Sequence, residues 1–426
     1  MKIKMNKKLT LEVLEKYYGY SSFRGEQEKV ISYVLKNKDV LAILPTGAGK
    51  SICYQIPALI FSGITLVISP LISLMKDQVE GLKKRKIKAV YINSNIGRTE
   101  QKKIEEEIEN DIYKIIYVAP ERLLNTNFFN VIKRKQISLI AIDEAHCISM
   151  WGHDFRKSYI KIDSFIKKLS TKPTVVALTA SATNHVKQDI ISSLHLQSPV
   201  VIQSSFDREN LFFSVEKPYN KYEYIKEYIK KHKEEAGIIY CTTRNNVNHL
   251  YNKMFDEGYP VCKYHAGMSK EARIRNQDQF LKGRKPILIA TNAFGMGIDK
   301  PDIRYILHYN MPMDMEGYYQ EAGRAGRDGK RAECTLLFST EDILINRELI
   351  KVGKTEKQLA IAEEKLSNMI FYCQTKQCLR KNILTYFNEQ VIYDTCKNCG
   401  NCIEKTENKW ITMMRKIKEQ WLSLFS

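Results

Sequence analysis

Ile140-Ala141-Ile142-Asp143-Glu144-Ala145-His146, running on through Cys147-Ile148-Ser149-Met150-Trp151-Gly152-His153-Asp154-Phe155-Arg156, is the stretch on which the fold reading turns. Apolar residues lead straight into two adjacent carboxylates. A buried parallel strand delivers acids to its carboxyl edge in this way, and that edge is where open α/β sheets bind ligands. Asp143 can hold a metal ion through its carboxylate, and Glu144, pointing the other way, can polarise a water. A nucleotide hydrolase needs both groups within a few ångströms. Alone, the pair is equally well a helix cap. The companion signal lies upstream, at Leu44-Pro45-Thr46-Gly47-Ala48-Gly49-Lys50-Ser51, led into by the strand-like run Val40-Leu41-Ala42-Ile43-Leu44. Glycines let backbone N–H groups turn inward around phosphate, and the following helix adds its positive end. Lys50 can reach the β- and γ-phosphates, and the Ser51 hydroxyl can coordinate Mg²⁺. The strict motif begins with glycine where Leu44 stands. Strand, loop and helix in register, with an acidic strand end downstream, carry the assignment.

At 426 residues and 44% hydrophobic content, the chain is long enough for two or three domains with cores of their own. No apolar run approaches the roughly 18 residues of a membrane span. The basic start at residues 1–8 lacks an apolar stretch behind it, so neither a signal peptide nor a membrane partner is expected. The expected location is the cytoplasm, and the nucleoid if the source is bacterial. Lys and Arg number 67 against 48 Asp and Glu, a net +19. That excess favours a polyanionic partner, most often nucleic acid, although solvated surface lysines give the same sum. Cys53, Cys147, Cys241, Cys262, Cys334 and Cys373 are scattered and read as small apolar residues; the remaining four cysteines are grouped.

Residues 9–36 read as helical, with Tyr17-Tyr18-Gly19-Tyr20-Ser21-Ser22-Phe23-Arg24-Gly25-Glu26-Gln27 between two helices. A glutamine amide can meet both donor and acceptor on an adenine edge, and a tyrosine can stack on the base. An aromatic packing corner would look the same. Apolar runs at 65–69, 114–118, 140–142 and 175–179 then alternate with longer amphipathic stretches, the signature of βα units around a parallel sheet. Residues 205–216 read as a crossing between domains. A second alternating set follows at 237–241, 261–264, 287–291, 305–308 and 335–338, with no second phosphate loop. Instead, residues 319–329 offer Gln320, Arg324 and Arg327 among small residues, a spacing that lets arginine forks approach a phosphate closely. A surface glycine turn with salt-bridged arginines is the alternative.

Taken in order, these motifs resemble a RecQ-type DNA helicase of superfamily two. They are Phe23-Arg24 to Gln27, Thr46 to Ser51, Ser69-Pro70-Leu71, Asp143-Glu144-Ala145-His146, the Trp151-to-Arg156 loop, Ser181-Ala182-Thr183, Phe294-Gly295-Met296-Gly297, and Gln320 to Arg327. The resemblance covers about residues 10–403. It implies two RecA-like parallel-sheet lobes, a small helical zinc-binding subdomain, and ATP with Mg²⁺ as cofactors. It implies that Tyr20 stacks on adenine, Gln27 reads its edge with Arg24 nearby, and Thr46, Gly47, Ala48, Gly49, Lys50 and Ser51 hold phosphate and Mg²⁺. Asp143 takes the Mg²⁺ side and Glu144 the attacking water. Arg327 is the implied arginine finger, supported by Arg324 and Gln320. Trp151, His153, Phe155 and Arg156, with His146, report bound single strand to the nucleotide site, and Ser181 and Thr183 link hydrolysis to lobe movement. The implied partners are single-stranded and forked DNA, with repair or single-strand-binding proteins beside them, and the implied travel is 3′→5′. The rival functions are an RNA helicase and a DNA-binding or strand-annealing module with weak ATPase.

The grouped cysteines support this independently. Cys378, Cys396, Cys399 and Cys402 have a C-x17-C-x2-C-x2-C spacing. Four thiolates suit tetrahedral Zn²⁺, with an iron–sulfur cluster as the alternative and Cys373 as the rival ligand. Helical periodicity before the cluster (Leu359, Ala362, Leu366, Met369, Ile370) predicts a packed hairpin. The expected domains are 1–206, 207–340, 341–406 and a tail at 407–426. With Trp410, Ile411, Met414, Ile417 and Trp421 at helical spacing, the tail is too short for a winged helix. The expectation is a form lacking the winged-helix and further helical domains, whether natural or truncated.

Overall fold

The computed structural model describes residues 2–93, 96–152, 154–295 and 300–404, the side chains of 2–6 apart. They fall into two compact units, one ending at Ser205 and the other beginning at Phe206.

The first unit is built on a seven-stranded parallel sheet. Its strands are β1 (Val40–Ile43), β2 (Ile64–Ile68), β3 (Ala89–Ile92), β4 (Ile115–Val118), β5 (Ile137–Ile142), β6 (Thr174–Thr179) and β7 (Val200–Gln203). Their spatial order is β3-β4-β2-β5-β6-β1-β7. β1, β2, β4 and β6 are buried at every position, as parallel strands sandwiched between helices must be. Because β5, β6 and β1 are consecutive neighbours, the segments leaving their carboxyl ends share one edge.

The second unit carries a six-stranded parallel sheet. It comprises β8 (Leu211–Glu216), β9 (Ala236–Tyr240), β10 (Val261–Tyr264), β11 (Ile287–Ala290), β12 (Ile303–His308) and β13 (Ala332–Leu337), in the order β10-β11-β9-β12-β13-β8. The expectation that 205–216 merely crosses between domains is corrected here. Residues 211–216 form the edge strand β8, paired with β13 alone from Leu211↔Ala332 to Glu216↔Leu337. An edge strand buries less of itself. Leu211, Phe213 and Ser214 go under while Phe212 stays half-exposed, so the continuous apolar run of an inner strand is missing.

Helices Glu356–Gln374 and Leu379–Tyr386 follow. The longer one buries Ile361, Lys365, Leu366, Met369, Tyr372 and Cys373. Its inner face is therefore rotated from the stripe expected at Leu359, Ala362 and Ile370, which are half-buried. Lys365 enters the core because its ammonium lies 3.0 Å from the buried Glu316 carboxylate. Among the described residues, no helix is long and apolar enough to cross a membrane. The tail from 405 onward, His153 and Met296–Asp299 lie outside the described residues.

Candidate nucleotide site and metal centre

β1 ends in the glycine-rich loop, where Gly47 (φ +86°) and Gly49 (φ +71°) adopt the left-handed backbone that glycine alone takes at no cost. Leu44 explains its own departure from the motif. Its N–H still bonds to the Thr179 carbonyl at 3.0 Å, so the position continues the strand and needs no glycine. Lys50 curls back over the loop, its ammonium 3.4 Å from the Leu44 carbonyl, and the Ser51 residue opens helix Ile52–Ile60. Gln27 clamps the loop. Its Nε2 donates to the carbonyls of Ala48 (2.8 Å) and Gly49 (3.1 Å), and its Oε1 accepts the Arg24 N–H at 3.0 Å. Both amide protons are thus committed, which leaves Oε1 alone for a base and narrows the two-way edge reading expected from sequence. Tyr20 is 48% exposed, with the Arg24 guanidinium 5.5 Å from its ring centre. One ring face is available for stacking.

At the end of β5, Asp143 and Glu144 are both buried. Asp143 accepts the Glu144 N–H (3.0 Å) and the Ser69 hydroxyl (3.3 Å), and its carbonyl accepts the Tyr159 hydroxyl at 2.8 Å. Burial, and next the neighbouring Glu144 charge, push the Asp143 carboxyl up to about 7, against the pull of Lys50. A divalent cation at this oxygen would restore the ionised form, so donor chemistry fits Mg²⁺. Glu144 sits at φ +48°, a left-handed turn that swings its side chain off the strand direction. His146 continues the line. Its Nδ1 lies 3.4 Å from Glu144 Oε2 and 2.9 Å from the Thr179 hydroxyl, which donates to the Ser181 carbonyl at 3.0 Å. With that hydroxyl proton committed, the imidazole meets Thr179 through Nδ1–H. The acidic strand end is thereby joined to Ser181-Ala182-Thr183, where Thr183 caps helix Asn184–Ser193.

The segment after the acids folds back on them. A side chain at Gly152 would sit 2.1 Å from the His146 carbonyl, so only glycine fits. Trp151 is half-buried and stacks on His185, ring centres 5.1 Å apart. Arg156 is not a free guanidinium. It holds Asp154 through Nε (3.0 Å) and Nη2 (2.8 Å) and the Pro70 carbonyl through Nη1 (3.0 Å). It braces the loop to the Ser69-Pro70-Leu71 turn. Phe155 is half-buried beside it. Sequence reasoning named Ser69 in a motif without giving it a task, and missed Tyr159, Thr179 and His185 as partners of this site; for Thr179, a hydroxyl closing strand β6 was the signal in plain view.

In the second unit, Gln320 ends helix Met315–Ala322 on its buried side, and Arg324 is buried in the turn that follows. Arg324 donates to the Gly295 carbonyl. Arg327 is half-buried and near enough to Tyr240 to oppose, with Arg324, the rise that burial imposes on that phenol.

The sulfurs of Cys378, Cys396, Cys399 and Cys402 all lie within 4.8 Å of one another, and Cys373 is buried in its helix outside this group. Hydrogen bonding from Cys396 and Cys399 pulls the Cys378 thiol down, while burial raises Cys402 to about 11. Hydrogen bonding to Cys378 raises Cys396 and Cys399 as well, so a cation would have to displace the protons this ring otherwise holds, and the donor set is that of a tetrahedral thiolate site. Backbone supports the ring. Lys381 N–H donates to Cys378 Sγ and Asn398 N–H to Cys396 Sγ, each at 3.4 Å. Asn401 ties the knuckle to the Thr375 and Gln377 carbonyls at 2.8 and 2.7 Å.

Comparison with known proteins agrees with this geometry. The DEAD/DEAH box helicase family matches residues 24–190, the helicase conserved C-terminal domain 220–329, and the RecQ zinc-binding family 340–403. The ATP-dependent DNA helicase RecQ of Bacillus subtilis is 46% identical over 393 residues, 92% of this chain and 66% of that protein. The RecQ helicase of Pasteurella multocida is 40% identical over 93% of this chain and 63% of its own length. A protein of Acanthamoeba polyphaga mimivirus that carries an RNA-helicase name, R290, is 39% identical over 96% of this chain and 75% of its own. This chain therefore spans just under two thirds of the bacterial relatives. Among solved structures, yeast (S. cerevisiae) Dbp5 bound to RNA and ADP BeF3 shares the fold at a TM-score of 0.63 and 19% identity, over 84% of this chain and 99% of that one.

Proposed function

As this chain belongs to the RecQ family of superfamily-two helicases, we propose that it is an ATP-dependent DNA helicase that travels 3′→5′ on single strands and opens forked duplexes. The observation that carries the reading is the shared edge of β1, β6 and β5. There Thr179 joins the start of the phosphate loop, through the Leu44 N–H on its carbonyl, to the Ser181 segment and His146 through its hydroxyl, and His146 lies 3.4 Å from the Glu144 carboxylate. Lys50 and the loop N–H groups would bind the phosphates, and Ser51 and Asp143 would hold Mg²⁺, which would supply charge neutralisation when bound. Glu144 orients the attacking water. Arg327, backed by Arg324 and Gln320, stabilises charge on the γ-phosphoryl group as it transfers. Tyr20 stacks on the base and Gln27 accepts from it. Trp151 and Phe155 face the single strand, Arg156 sets their loop, and His146, Ser181 and Thr183 pass the state of the nucleotide onward. The four cysteines hold a structural Zn²⁺. In a bacterial source, a helicase acting on forked DNA would work in the cytoplasm at the nucleoid, with repair or single-strand-binding proteins as its partners.

The RNA-helicase name of one relative favours a second reading, in which RNA is the track. ATPase measured with single-stranded DNA and RNA of matched sequence separates them. Stimulation by DNA alone supports the proposal, and stimulation by RNA alone refutes it.

A further inference from the structure

The turn that bears Arg324 and Arg327 is closed by short-range backbone bonds, Arg324 N–H to the Glu321 carbonyl (3.2 Å) and Ala325 N–H to the Ala322 carbonyl (3.1 Å), and is tied to the sheet by Gly326 N–H on the Ile303 carbonyl (2.9 Å). It follows a helix end, contains Gly323 and Gly326, and takes a left-handed φ of +57° at Gly326. Its outward carbonyls are held by side chains from a distant segment. Arg208 reaches across with both terminal nitrogens, donating to the carbonyls of Gly323 (3.2 Å), Ala325 (3.0 Å) and Gly326 (3.1 Å). Asn210 adds bonds to Gly326 (2.9 Å) and Lys330 (2.8 Å). Three carbonyls interleaved with the two arginines are thus held by one planar fork. A lysine, a point charge on a flexible stem, cannot span them.

Arg208 is itself held. Arg380, 4% exposed, donates to the Asp207 carboxylate, to the Arg208 carbonyl at 2.8 Å and to the Leu211 carbonyl. Arg380 stands two residues past Cys378, on the helix that Cys378 opens. The helix before the turn is held as well: Tyr318 meets Tyr372 hydroxyl to hydroxyl at 3.2 Å, and Tyr319 donates to the Phe206 carbonyl at 2.7 Å.

We propose that Arg380 and Arg208 are positioning residues for the Arg324–Arg327 turn, carrying the geometry of the cysteine-bearing helix into the second unit's share of ATP hydrolysis. This rests on the reading of Arg327 as the γ-phosphoryl contact. Such a contact is made in the transition state, so loosening the turn lowers turnover and leaves nucleotide binding in place.

The test measures DNA-stimulated ATPase, affinity for a fluorescent ATP analogue and melting temperature in Arg208→Lys, Arg380→Lys, Arg327→Ala and the double variant Arg208→Lys/Arg327→Ala. The expected result for Arg208→Lys is a kcat reduced about tenfold, with KM and analogue affinity within about twofold of wild type and melting unchanged. In the double variant, Arg208→Lys adds nothing to the loss from Arg327→Ala, because it acts through that residue. Normal kcat in Arg208→Lys, or a further multiplicative loss in the double variant, overturns the proposal. If Arg208→Lys melts early, Arg380→Lys decides on the same readouts, and early melting of both makes the pair structural and the proposal wrong. Normal turnover in Arg327→Ala strikes the finger reading itself. A dead Arg327→Ala beside a normal Arg208→Lys strikes only the relay.

Discussion

The two units hold their charged residues in opposite ways. In the first, the phosphate loop and the acids sit where strands of the parallel sheet end, and the supports of the acidic turn are the adjoining strand ends: Ser69 after β2, Thr179 at the end of β6. In the second, the arginine turn hangs from Arg208, 115 to 118 positions away in sequence, and Arg208 hangs from Arg380, 172 positions away. Sheet topology builds one site; long-range hydrogen bonds build the other. The first should resist local damage, and the second should fail when a distant brace is cut.

Loss of the metal should have the largest effect and fall on the second unit. Apparent binding free energies of structural zinc are on the order of 10 kcal/mol, so Cys399→Ser should be insoluble or proteolysed within residues 340–403. Elemental analysis of the wild-type protein should find one zinc per chain. Iron, or well-folded protein without metal, contradicts this.

Catalytic substitutions come next. Lys50→Ala and Arg327→Ala should each reduce DNA-stimulated ATPase about a hundredfold or more, the size of arginine-finger effects. They should differ in binding: Lys50→Ala weakens nucleotide affinity, whereas Arg327→Ala leaves it near wild type. Equal affinity losses in a titration with labelled ATP would erase the contrast between the two units.

The same contrast explains what could be read in advance. Asp143 and the 44–51 loop were legible because a buried strand declares itself by an unbroken apolar run, and its functional residues follow immediately. β8 was not legible, since an edge strand with one neighbour carries a mixed sequence. The cysteine cluster was legible from spacing. The tasks of Arg208 and Arg380 were not, because an arginine that hydrogen-bonds carbonyls more than a hundred positions away leaves no local pattern. Gln27 and Arg156 show a third case: the residue type was informative, but the partner was the protein's own backbone or Asp154.

A smaller effect is expected at Trp151. Stacked on His185, it is either a packed corner or a contact for unpaired bases. Trp151→Ala should melt within a few degrees of wild type yet lose about tenfold in the ratio of ATPase with and without an oligonucleotide, in line with about 1–3 kcal/mol per stacked base. An intact ratio refutes the coupling role. Smallest of all, Tyr159→Phe removes the hydroxyl that bonds the Asp143 carbonyl and should cost about 1 kcal/mol in urea unfolding. No change would mean the acidic strand end is held by the sheet alone.

Unwinding of a forked DNA duplex with Mg²⁺ and ATP, by wild type and Arg327→Ala side by side, tests most directly whether both units serve one helicase reaction. Strand separation by wild type that requires hydrolysable ATP and is lost in Arg327→Ala, with nucleotide binding retained, is the predicted result. Strand separation that proceeds without ATP, or that survives in Arg327→Ala, would contradict it.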